Sequence, residues 1–106
     1  MAEKDSKPVW EEGVGVQERP KTREPQMYQV LLHNDDYTSM EFVVHVLTNV
    51  FRHSRTMATQ IMLHVHTRGV GLCGVYPYDM AQTKVARVAK SAEEAEMPLR
   101  CTMEAK

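Results

Sequence analysis

Cysteine is scarce: the 106-residue chain holds two, Cys73 and Cys101. Two isolated thiols among strand-forming residues cannot build a disulfide framework, and they read as buried thiols of a reducing, cytoplasmic protein. No apolar run approaches the length of a membrane span, and residues 1–7 open polar and charged rather than as a signal peptide. An excess of one charge is also missing. The 13 Lys and Arg against 14 Asp and Glu leave a formal net charge of −1, interleaved along the chain, so a nucleic-acid binder's electrostatic footprint is absent. No phosphate-cradling G-x-x-x-x-G-K-[ST], no Cys-His or Ser-His-Asp arrangement and no separated carboxylate pair can be read, which speaks against catalysis. What is present, 42% hydrophobic and 25% charged residues, fits one soluble globular domain with a single modest core.

Residues 1–25 are dense in charge of both signs, carry Pro8, Pro20 and Pro25, and cluster apolar side chains only at Val9 and Trp10. Such a segment buries too little surface to offset its ordering entropy, which predicts a flexible N-terminal extension ahead of a folded domain over 26–106. Trp10 is a candidate docking handle in that extension.

Alternation at Tyr28, Val30 and Leu32 predicts a first strand. Thr38 and Glu41 match the S/T-x-x-E capping box, with Tyr37 and Phe42 as a hydrophobic staple, so a helix is expected from Thr38. Its apolar face is Met40, Val43, Val44, Leu47, Val50 and Phe51. Ser54 caps a second helix with the stripe Met57, Ala58, Ile61, Met62 and Val65, closed by Gly69. Residues 70–76 read as a strand in which Gly71 and Gly74 hint at a bulge. Pro77 suits the first turn of a third helix, Asp79 complements its dipole, and Ala81, Val85, Val88, Ala89 and Ala92 are its buried stripe until Pro98 ends it. Leu99, Cys101 and Met103 then alternate as a last strand. The order β-α-α-β-α-β predicts an α+β domain, a small sheet covered on one face by helices.

The densest chemistry is in residues 33–42, where Asn34, Asp35 and Asp36 precede a helix start and adjoin an apolar ledge at Met40 and Val43. Turn formation and helix-dipole complementarity account for one or two of these three residues. Directed acceptors beside an apolar surface also suit a small cationic group. A metal site drawing on His33, Asp35, Asp36, His64 and His66 is disfavoured by spacing, since His64 and His66 are two apart on a helix and diverge. His66 itself fits either a helix C-terminus or one side of a polar ring around the turn.

Residues 33–38 and 40–43, the run 62–69, Gly74-Val75-Tyr76, Thr83-Lys84-Val85 and Pro98-Leu99 together resemble the ClpS adaptor family over residues 26–104. Several separated motifs in the right order make the resemblance specific. It implies three helices packed on a three-stranded antiparallel sheet, as in the C-terminal domain of the ribosomal stalk protein. It implies no enzyme and no cofactor, but an adaptor that binds proteins bearing an N-terminal Leu, Phe, Tyr or Trp and delivers them to the ClpA unfoldase of the ClpAP protease. By the same resemblance, Asn34, Asp35 and His66 hold the substrate's α-amino group. Thr38, Met40, Val43, Met62, Val65 and Leu99 form the side-chain pocket, with Asp36 at its rim and Met40 as the gatekeeper against β-branched residues. Tyr37, Asp79 and Lys84 belong to the surface that docks on the ClpA N-terminal domain. Asp79 and Gln82 stand where the family more usually has glutamates, which puts docking strength in question. The protein is expected to act as a cytoplasmic monomer without nucleic-acid or membrane partners. The rival readings are a regulator of the unfoldase working through its tail and docking face, and a metal-dependent enzyme using Asp35, Asp36 and His66.

Overall fold

A computed structural model describes residues 25–106 of the chain; the expectations for the extension, including Val9 and Trp10, lie outside the described residues. The elements are β1 (Met27–His33), α1 (Met40–Asn49), α2 (Arg55–Arg68), β2 (Val70–Pro77), α3 (Tyr78–Glu94) and β3 (Arg100–Ala105). This is the expected order. The strands form one antiparallel sheet with β1 in the middle, β2-β1-β3.

Strand β1 is central because its inward residues, Val30 and Leu32, are wholly buried under the helices. Val30 stands opposite Gly74 and Met103, and Leu32 opposite Gly71 and Cys101. The register slips between Val30 and Leu31, so that Cys73 is the extra residue of a bulge beside Gly74. That fits the hint from the two glycines. At Gly71 an added Cβ would sit 2.6 Å from Val65 Cγ2, so its missing side chain is what lets α2 lie this close to the sheet. Val46, Leu47, Ala58, Val65 and Val88 complete the innermost core from all three helices.

Helix α1 starts one residue later than expected. Its N-cap is Ser39, whose Oγ accepts from the Phe42 N–H at 3.1 Å. The Thr38 side chain is turned the other way, its hydroxyl donating to Asp35 Oδ2 at 2.7 Å. The staple does not form either: Tyr37 is 80% exposed, and Phe42 stacks on His45 instead. Ser54 caps α2 as expected, its Oγ accepting from the Met57 N–H, and Gly69 ends that helix in the left-handed region at φ 93°.

Other expectations need adjusting. Met57 and Ala89 are exposed rather than buried, because the inward lines of their helices run through Ala58-Met62-Val65 and Ala81-Val88-Ala92. Val46, absent from the expected apolar face of α1, is fully buried. Helix α3 ends at Glu94, four residues before Pro98. Glu96 at φ 58° turns the chain, and the Met97 and Glu96 N–H groups close back on the Ala92 and Glu93 carbonyls.

Candidate functional site

The site is assembled where β1 and α2 both end. Gly69 takes a left-handed conformation, donates its N–H to the Val65 carbonyl at 2.8 Å, and offers its own carbonyl to the Asn34 N–H at 2.8 Å. The residue that leaves β1 is therefore clamped to the residue that leaves α2, which puts Asn34 beside His66 in the last turn of that helix. The chain between Asn34 and Ser39 then bends into α1, and Asp35 organises the bend. Its Oδ1 accepts from the Tyr37 and Thr38 N–H groups at 2.8 and 2.7 Å, and its Oδ2 from the Thr38 hydroxyl at 2.7 Å.

Burial pushes the Asp35 carboxyl up, but the Thr38 hydroxyl and the two N–H donors together outweigh it and hold the group below the usual 3.8. A carboxylate has about four acceptor positions. Three are filled within the loop, so one direction on Oδ2 remains. The side chains of Asn34, Asp36 and His66 are exposed and enter no hydrogen bond among the described residues, which leaves their donors and acceptors open at the surface.

These residues surround a cavity of about 190 Å³ lined by Asn34, Asp35, Asp36, Thr38, Met40, Val43, Met62, Val65 and His66. Of the residues expected there, all but Leu99 are brought together. Leu99 is 7% exposed and belongs to the core cluster, outside this lining. The cavity is sharply divided: Val43, Met62 and Val65 are buried and make an apolar floor, while the rim is polar and contains two carboxylates. Met40, 45% exposed, stands at the mouth. His64 lies outside the lining, in keeping with its divergence from His66.

No group of three or more His, Cys, Asp or Glu side chains is placed to hold a metal ion among the described residues. Cys73 and Cys101 are free thiols, and burial pushes both up, Cys101 to about 12. Cys73 is buried as expected, whereas Cys101 is only partly so. Among the described residues, no helix is long and apolar enough to cross a membrane.

The three expected docking residues are not neighbours. Tyr37 lies beyond the His33 end of β1, whereas Asp79 lies beyond Pro77, which pairs with Met27 at the other end. Asp79 and Lys84 share a shallow hollow with Met80 and Thr83. Lys84 also has a structural task, its Nζ donating to the Val50 carbonyl at the end of α1 at 2.7 Å. The sequence pattern by itself does not mark Ser39 and Gly71 as residues that shape the site. A second cap-competent residue after Thr38 was a legible signal for Ser39, but nothing in sequence pairs Gly71 with Val65.

Fold and site together define a small binding domain, an α+β scaffold presenting an apolar-floored cavity with an acceptor-rich rim. The family model for ATP-dependent Clp protease adaptor protein ClpS matches residues 23–102. Proteins called ATP-dependent Clp protease adapter protein ClpS are 58% identical in Rhodospirillum centenum (87% of this chain, 85% of the relative) and 61% identical in Phenylobacterium zucineum (84% and 82%). A solved structure of Agrobacterium tumefaciens ClpS2 bound to L-phenylalaninamide is 38% identical, with a TM-score of 0.76 over 78% of this chain and 100% of that one. The chain belongs to the ClpS family of Clp protease adaptors, which are not enzymes.

Proposed function

We propose that the cavity receives the first residue of a substrate protein, and that the chain delivers proteins beginning with Leu, Phe, Tyr or Trp to the ClpA unfoldase of the ClpAP protease. The observation that carries this reading is the pairing, within one cavity, of an apolar floor with unspent acceptors at the rim. An α-ammonium has three donors on one atom next to a side chain. Asn34, the remaining Oδ2 direction of Asp35 and His66 suit the first, while Val43, Met62 and Val65 suit the second. Asp36 adds negative charge at the rim. L-Phenylalaninamide, the ligand in the Agrobacterium tumefaciens structure, has the same two parts, a free amine and a bulky apolar side chain.

The energies are adequate. A charge-assisted hydrogen bond contributes about 1.5–3 kcal/mol, and burying a Leu or Phe side chain about 1.5–3 kcal/mol. After association costs, two or three such terms give roughly micromolar affinity or somewhat better. An adaptor must release what it delivers, and this range allows it.

Titration of a Phe-starting peptide and its N-acetylated twin tests the reading. The free peptide should bind and the acetylated one should lose most of its affinity; equal binding would exclude recognition through the amine. Tyr37, Asp79 and Lys84 are proposed to dock on the unfoldase's N-terminal domain, Asp79 and Lys84 from the hollow they share with Met80 and Thr83, and Tyr37 from beyond the other end of β1.

A further inference from the structure

A second hollow, of about 490 Å³, lies on the far side of Met40 and Met62, between α1 and α2. Both methionines line it and the first cavity alike, so the two spaces share one wall. One stripe of α2 connects them: His66, Met62, Thr59 and Arg55 recur at helical spacing, and the last three line the second hollow. From α1 the hollow is lined by Met40, Val44 and Thr48, each one turn apart, and along the adjacent line by Glu41, His45 and Asn49.

We infer that this groove is the track for the substrate chain behind its first residue, with Arg55 as a selector for an acidic side chain at the fourth position. The inference rests on the proposed seat of the first residue in the cavity. Distance supports the register. Arg55 is seven residues from Met62, about 10 Å along the helix, and an extended chain advances about 3.3–3.4 Å per residue. If the first residue sits at the level of Met62, the fourth is level with Arg55.

Charge supports the choice of side chain. Glu41, next to Met40, gives the cavity end of the groove an acid, and Arg55 gives the far end a base. Arg55 is also the first residue of α2 after the Ser54 cap, so the positive end of the helix dipole adds to its guanidinium. The occupant is thus a peptide in one direction, amine at the Asp35 end and acid at the Arg55 end.

The test compares peptides beginning Phe-Ala-Ala-Glu and Phe-Ala-Ala-Lys, with identical C-terminal labels, on the full chain and on Arg55→Glu, with L-phenylalaninamide as competitor. At low salt the Glu peptide should bind the wild type about threefold more tightly, the scale of an exposed ion pair. Arg55→Glu should reverse that order, while L-phenylalaninamide competes equally well on both proteins. Equal binding of the two peptides, or a preference unchanged in Arg55→Glu, overturns the groove assignment. Failure of L-phenylalaninamide to displace any peptide overturns the underlying seat of the first residue instead.

Discussion

At the residue scale, Asp35 decides most. It closes the loop through three hydrogen bonds and is also proposed to face the substrate's amine. The two duties separate by substitution. Asp35→Asn keeps an oxygen for the Tyr37 and Thr38 N–H groups, and the Thr38 hydroxyl can turn to accept from the new amide. The loop should persist while the charge is lost, so peptide affinity should drop about tenfold with an unchanged circular dichroism spectrum, given the difference between charged and neutral hydrogen bonds. Asp35→Ala leaves two loop N–H groups unpaired and should also destabilise the fold by about 1–3 kcal/mol in urea titration. Undiminished binding by Asp35→Asn would remove the carboxylate from recognition. The cap one residue on belongs to the same loop: Thr38 and Ser39 are adjacent cap-competent residues, and with Thr38 turned to Asp35 it is Ser39 that accepts from the Phe42 N–H.

At the scale of elements, helices and strands were legible because each carries its own period, 3.6 or 2, and because Ser54 and Gly69 punctuate α2. Contacts between elements left no such mark. Gly71 reads as a weak point in β2, yet it is the place where α2 meets the sheet. Gly71→Ala should force Val65 away, costing about 1–3 kcal/mol of stability as an overpacked core does, and deforming the cavity floor that Val65 provides. Thermal melts and peptide titration should both register the change; a variant normal in stability and binding would show that α2 moves freely over β2.

The pairing of β1 with β3 carries a pH signature. His33 Nε2 lies 2.7 Å from Thr102 Oγ1, and burial, followed by the positive charge of Arg100, lowers the imidazole below its usual 6.5 despite Glu104. The unfolded chain then takes up this proton first. The stability His33 contributes is complete above pH 6.5 and is lost as pH falls through its folded value. Urea midpoints should therefore drop between pH 7.5 and 5.5, and His33→Asn should flatten the part of that slope due to this residue. Parallel slopes for the two proteins would assign the effect to other histidines.

On the scale of the whole molecule, the proposed substrate seat and the hollow of Asp79 and Lys84 proposed for docking lie beyond opposite ends of β1. The sequence could not reveal this, since Tyr37, Asp79 and Lys84 are grouped only by resemblance and their separation follows from the antiparallel register of β1 and β2. The distance makes the two activities independently removable. Asp35→Asn should bind peptide poorly yet still occupy the unfoldase, and Asp79→Lys should bind peptide normally yet fail to deliver. Lys84 is the poorer choice, because losing its bond to the Val50 carbonyl would itself destabilise the end of α1. If a single molecule must carry the substrate on one end while docking with the other, an equimolar mixture of the two variants will not restore degradation of a Phe-starting reporter by ClpAP. Each molecule in the mixture has one working end, and no exchange of substrate between them produces one with both, apart from the original defect. Restored degradation would mean that seat and docking surface act across molecules, and delivery would then require an assembly of adaptors rather than a monomer.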